Sequence, residues 1–235
     1  MSVSITAQPL RGALMIIAKT PEPGRVKTRL SPPLTPDGAC EVAWACLLDT
    51  LAVAANVPAQ RHVLVLDGTP GPWIPPGFDV ITQRGDGLAG RLAAAFQDVF
   101  SSGSTFGLVI AMDTPQLESS VLHEALDTLA RRGVAVLGPA ADGGFWAIGL
   151  QDDLDPVSVF ADIPMSTPQT GAFQERRLRT LGCALSLLPV LRDIDDVADL
   201  VAVSTLVPQR RIAQVARAVV AKSHFTKEHQ CLSCI

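Results

Sequence analysis

The chain has 235 residues, of which 48% are hydrophobic and 18% charged, and it carries a formal net charge of −4. That is enough apolar material to bury a substantial core within one large domain. Nineteen basic against twenty-three acidic residues, with no long basic run, argue against a protein that neutralises many phosphates along a nucleic-acid duplex, and five cysteines, an odd number, give no disulfide framework.

The first apolar run, "GALMIIA" (12–18), reads as a buried strand. It is too short to span a bilayer and no small-residue cleavage site follows it, so the expectation is a cytoplasmic protein with neither a membrane nor a nucleic-acid partner. "KTPEPGRVKTRL" (19–30) comes next and concentrates Lys19, Arg25, Lys27 and Arg29 around two prolines and a glycine. A helix is expected over 36–56, with Thr35 as its cap, Pro36 at its first position and Cys40 and Cys46 as small core residues. Strands follow at 61–67 and 78–83, separated by a Pro/Gly-rich surface loop (68–77), and again at 105–113 and 133–139. Helical patterns occupy roughly 90–100, 118–131, 168–181 and 210–222. Residues 223–235 lack apolar periodicity and are expected to form a disordered tail behind a domain of residues 1–222. The tail holds a C-x-x-C pair, Cys231 and Cys234, far from any strand–helix junction, which leaves a zinc or redox role as the second reading. The alternation predicts a single-domain, three-layer α/β/α architecture with a mostly parallel sheet.

In such a sheet ligands bind beyond the carboxyl ends of the strands, and Lys19, Arg25, Lys27 and Arg29 follow the first strand. They read as a polyphosphate cradle of ammonium and guanidinium donors, against the blander alternative of a solvated basic loop. "GDGLAG" (85–90) matches G-x-G-x-x-G, but Gln83 and Arg84 intervene after the strand, so a turn that brings a helix start and Arg91 towards a nucleotide fits better than a dinucleotide fingerprint. Asp113 ends the most apolar strand and is followed by a chain-stopping Thr114-Pro115. Asp142 lies before two glycines, and Asp193, Asp195 and Asp196 form a late acidic cluster. Hard oxygen donors of this kind suit Mg²⁺ or Mn²⁺ bound jointly with substrate phosphates; as alternatives, Asp142 is a turn residue and Asp195 or Asp196 a helix cap. The four histidines show no metal spacing and no paired nucleophile.

Taken in order, "AKTPEPGRVKTRL", "GDGLAGRLAAAF", "AMDTPQL", "GPAADGGFWAIGL" and "RDIDDVADL" resemble the bacterial DUF2064 family over residues 13 to about 202. The family's fold is of the GT-A, nucleotide-diphospho-sugar transferase kind, and its relatives include the 2-phospho-L-lactate guanylyltransferases. The resemblance implies nucleotide phosphates at Arg25, Lys27 and Arg29, nucleotide contact around Gln83, Asp86, Gly90 and Arg91, and a divalent metal at Asp113. Asp195 is a second metal candidate in a segment that lacks the Thr-Pro-Glu of sugar nucleotidyltransferases. The expected activity is metal-dependent transfer from a nucleotide sugar to a small-molecule acceptor, with Lys27 and Asp142 as catalytic candidates. A nucleotidyltransferase using a nucleoside triphosphate and a small phosphorylated acceptor is the alternative, and a non-catalytic nucleotide-binding module is the third. Phe145 and Trp146 tilt the choice to sugar transfer by offering apolar faces beside Asp142, against the alternative that either is simply a core residue of a strand, and no Lys or Arg lies between Gly133 and Pro168.

Overall fold

The computed structural model describes residues 12–232, with side chains from 12 to 222. Seven strands, β1 (Gly12–Lys19), β2 (Arg61–Asp67), β3 (Phe78–Thr82), β4 (Phe106–Ala111), β5 (Val134–Pro139), β6 (Phe145–Gln151) and β7 (Ala184–Leu187), form one sheet in the order β3-β2-β1-β4-β6-β5-β7. Every pairing is parallel except those of β6, which runs antiparallel to both β4 and β5. The sequence pattern does not single out β6 as a strand. Its direction follows from the short connection 140–144, which leaves room only for a hairpin back along β5.

The helices are α1 (Pro36–Ala54), α2 (Gly87–Ser101), α3 (Ser119–Leu129), α4 (Pro156–Phe160), α5 (Thr170–Thr180), α6 (Val197–Leu206) and α7 (Arg211–Leu232). Side chains alternate across the sheet, so β1 sends Leu14, Ile16 and Ala18 to one face and Ala13 and Met15 to the other. The first face packs on α1 and α3, the second on α2, α4 and α5. With both faces covered, the central strands read as unbroken apolar runs. A further cluster on the far side of α1 takes in α6 and α7.

Thr35 caps α1 as expected, its hydroxyl accepting from the Gly38 amide at 3.1 Å, and Cys40 and Cys46 are buried on that helix. The helical backbone of α7 continues past Lys222 to Leu232, beyond the domain end expected at 222. The Cys231 side chain and all of Cys234 lie outside the described residues. Among the described residues no helix is long and apolar enough to cross a membrane. The chain order reverses at β1, whose neighbours are β2 and β4, and this places the crevice for a ligand at the carboxyl ends of β1 and β4.

Candidate functional site

A cavity of about 640 Å³ opens at that crevice. The segment after β1 reaches over it because Pro21 and Pro23 stiffen the chain and Leu30, fully buried, pins the far end into the α1–α6–α7 cluster. Lys27 adopts left-handed backbone angles (φ 48°, ψ 38°) immediately before a 3₁₀ turn, Thr28–Leu30, and this points its side chain inward. Only 7% of that side chain is exposed, and Nζ stands 2.9 Å from Asp113 Oδ2 and 3.8 Å from Asp195 Oδ1. Arg29 Nη1 donates to Asp195 Oδ2 at 2.9 Å, while Arg25 turns to Glu22 at 2.7 Å; both arginines line the cavity. Burial by itself lowers the Lys27 pKa, but the Asp113 carboxylate, its hydrogen bond and Asp195 outweigh burial and hold the pKa above its ordinary value. The Cys46 thiol beside this pair is pushed well up by burial and stays neutral.

Asp113 and the late acidic cluster are brought together by backbone contacts. The Ile194 amide donates to the Asp113 carbonyl at 3.2 Å, Gln116 Nε2 to the Arg192 carbonyl at 2.8 Å, and the Ala141 amide to the Leu191 carbonyl at 2.8 Å. Trp146 belongs to this scaffold. Its indole is 1% exposed and Nε1 donates to the Pro189 carbonyl at 3.0 Å, so of its two readings the core one holds and the ligand face does not: it is a core residue tied to the segment after β7. Phe145, its neighbour on β6, does line the cavity. Asp196 caps α6 in a reciprocal arrangement with Asp199, which leaves Asp195 as the carboxylate of that pair on the cavity wall.

β4 stops at Ala111, so Asp113, expected to end that strand, sits two residues beyond it in the turn. On the β2–β3 side, Asp67 does end its strand, and it joins Lys19 (3.6 Å) and Arg91 (3.2 Å). Gln83 donates through Nε2 to the Ala18 and Val65 carbonyls at 2.7 and 3.0 Å and accepts from Arg91 Nη1 at 3.1 Å. Its amide thus ties β1 to β2 and aims Arg91. Asp86 and Gly90 do not line the cavity, and Gly87 and Leu88 stand there instead. Asp86 is an exposed position before α2, and Gly90 is tucked against Gly85, where an added Cβ would lie 2.7 Å from Gly90 backbone atoms.

The opposite wall is made of Asp142, Gly144, Phe145, Ser166, Thr167 and Thr170. The Gly144 amide donates to Asp142 Oδ1 at 2.8 Å, so Asp142 is both the turn residue between β5 and β6 and a wall carboxylate. Ser166, Thr167, Thr170 and Asp67 are what sequence reasoning left out. For Asp67 the signal was available, a carboxylate closing a strand. For the hydroxyls it was not, because "IPMSTPQTG" has no periodicity.

Asp193 lies at the cavity with a buried Oδ1 that has no hydrogen-bond partner. Burial, then the negative charges of Asp113 and Asp142, push its carboxyl from an ordinary 3.8 to about 7, Lys27 acting the other way. Because the folded pKa lies above the unfolded one, the unfolded chain releases this proton first, and stability falls as pH rises from about 4 to about 7. Asp193→Asn is expected to lift the melting temperature at pH 8 and to lift it much less at pH 5. An equal shift at the two pH values would remove this assignment.

Among the described residues no three or more His, Cys, Asp or Glu side chains are arranged to hold a metal ion between themselves. The donor set nevertheless suits a hard cation shared with a ligand: Asp113 and Asp195 both face one point, and the Lys27 ammonium stands there as a stand-in cation.

The profile of the bacterial family DUF2064, described as "uncharacterized protein conserved in bacteria", matches residues 45–167, just over half of the chain, and the chain belongs to that family. Among solved structures, a candidate nucleotide-diphospho-sugar transferase from Desulfovibrio desulfuricans is similar with 25% identity and a TM-score of 0.82, over 91% of this chain and 97% of that one. CMP:2-keto-3-deoxy-manno-octonic acid synthetase, solved with CTP, shares the fold at 13% identity and a TM-score of 0.54, over 84% and 98% of the two chains. So does 4-diphosphocytidyl-2C-methyl-D-erythritol synthase of Anaerococcus prevotii, at 9% identity and a TM-score of 0.52, over 84% and 96%. No functionally curated protein matches the chain.

Proposed function

We propose that this family member is a metal-dependent transferase that grips the diphosphate of a nucleotide sugar and passes the sugar to a neutral hydroxyl acceptor. The observation that carries the reading is which parts of the chain supply charge to the cavity lining. Lys19, Arg25, Lys27, Arg29 and Arg91, the cations of its lining, all precede β4 in the chain, whereas the lining from Ala111 onward contains only acids, hydroxyls and apolar groups. An anionic diphosphate fits the first half. A phosphorylated acceptor would meet Asp142 among hydroxyl and apolar groups in the later part, which contributes no cation of its own. The similarity to the Desulfovibrio candidate supports the same donor class.

In this reading Asp113 and Asp195 hold Mg²⁺ or Mn²⁺, which when bound neutralises charge on the departing diphosphate. Arg25, Lys27 and Arg29 bind the phosphate oxygens, and Arg91, aimed by Gln83 and Asp67, borders the nucleotide. The acceptor oxygen forms its bond to the anomeric carbon as the bond from that carbon to the diphosphate oxygen breaks, and the nucleoside diphosphate leaves with the electron pair. Asp142, oriented by the Gly144 amide, takes the acceptor's proton. The test supplies nucleotide sugars and nucleoside triphosphates separately with Mn²⁺. Release of nucleoside diphosphate from a nucleotide sugar is expected. Pyrophosphate release from a triphosphate, with no nucleotide sugar turned over, would replace this reading with nucleotidyl transfer.

A further inference from the structure

Lys27 and a divalent ion require the same carboxylate. The Lys27 ammonium lies 2.9 Å from Asp113 Oδ2 and 3.8 Å from Asp195 Oδ1, on a side chain 7% exposed. A doubly charged ion at Asp113 would meet that ammonium head-on, so one of them has to move. Lys27 cannot simply retreat, because a buried ammonium stripped of its carboxylate is left uncompensated, at a cost that exceeds the gain from most single contacts. Its backbone is held in left-handed angles and anchored one 3₁₀ turn on by buried Leu30, which limits the side chain to positions over the cavity. An anion delivered between Arg25 and Arg29 is the compensating partner within its reach, since both arginines line the same space.

We infer that Lys27 is a placeholder cation: with no nucleotide it keeps the metal off Asp113, and the arriving diphosphate draws it away, so that metal and nucleotide bind only together. The inference rests on the reading of the cavity as a diphosphate site with a metal at Asp113. It gives Lys27 two partners in succession, which reconciles its observed pairing with Asp113 and its proposed contact with phosphate. The coupling is reciprocal by thermodynamic necessity: whatever the diphosphate does for the metal, the metal does for the diphosphate.

The experiment is titration of Mn²⁺ into the full chain, followed by the loss of the free-ion electron paramagnetic resonance signal, with no nucleotide present. Wild type is expected to bind Mn²⁺ only weakly. Lys27→Met, which keeps the length and removes the charge, is expected to bind it at least tenfold more tightly, and Lys27→Arg to stay weak. Adding Asp113→Asn to Lys27→Met should erase the gain, which assigns it to that carboxylate. Tight nucleotide-free binding of Mn²⁺ by the wild type overturns the inference and needs no variant, so a poorly folded Lys27→Met leaves the test intact. Equal affinities of a folded Lys27→Met and the wild type overturn it as well. If Lys27→Met gains Mn²⁺ but neither protein binds UDP or GDP with Mn²⁺ present, the placeholder stands and the diphosphate reading falls.

Discussion

Asp113→Asn is expected to abolish the part of nucleotide binding that depends on Mn²⁺ while leaving the metal-free part unchanged or slightly stronger. Asp113 lies two residues past the end of β4, the strand next to β1 at the reversal of the sheet, and its backbone carbonyl is fixed by the Ile194 amide at 3.2 Å. Asparagine therefore keeps the backbone geometry and one acceptor oxygen but loses the charge that a hard cation needs. The same substitution strips Lys27 of its nearer counter-ion and leaves Asp195 at 3.8 Å, so the ammonium is freed towards phosphate. Stability should drop by about 1–3 kcal/mol for a half-compensated buried charge, a loss of several degrees in melting temperature. Isothermal titration with nucleoside diphosphates, with and without Mn²⁺, separates the two effects. An unchanged affinity in the presence of Mn²⁺ would take Asp113 out of the metal site.

How far the site could be read beforehand depended on how local its determinants are. The first five strands were legible because each is a β-type run bounded by turn residues, and Asp113 and the four cations were legible because they follow such runs closely. β6 was hidden by its own turn: "GPAADGGFWAIGL" announces a glycine bend, and only the hairpin geometry reveals that Phe145–Gln151 runs back between β4 and β5. β7 has four residues, none of them buried, so no alternation marks it. Trp146 could be read as a ligand platform or as strand core because an aromatic beside a carboxylate carries no label of which way it points, and period-two alternation sends it into the core while Phe145 faces the cavity. The displacement of the α2 contacts from Asp86 and Gly90 to Gly87 and Leu88 has a similar origin. The glycine motif fixed the turn, and the packing of Gly85 on Gly90 fixed which residues remain to face the cavity.

The wall that would receive the acceptor depends on a contact that no local pattern reveals, and Gly143→Ala is expected to break it. Gly143 has φ +88°, and a Cβ built there would lie 1.9 Å from the Pro168 carbonyl oxygen, a backbone atom that cannot rotate aside. The two segments are also joined by the Gly171 amide, which donates to the Gly143 carbonyl at 2.8 Å. Alanine in left-handed angles costs about 1–2 kcal/mol, and forcing the backbone apart adds about 1–3 kcal/mol. Gly103→Ala is the matched control, since Gly103 has φ +97° with nothing within 4 Å of the added Cβ, and it isolates the conformational part. Thermal melts should therefore place Gly143→Ala clearly below Gly103→Ala. The displaced segment carries Ser166, Thr167 and Thr170 on one side and Asp142 on the other, whereas the cations and Asp113 are held by β1, α2 and β4. Transfer to the acceptor should then fall at least tenfold while affinity for the nucleoside diphosphate stays near wild type. Equal melts for the two alanine variants, or a parallel loss of nucleotide binding, would mean that the Gly143–Pro168 contact does not support an acceptor wall separate from the diphosphate site.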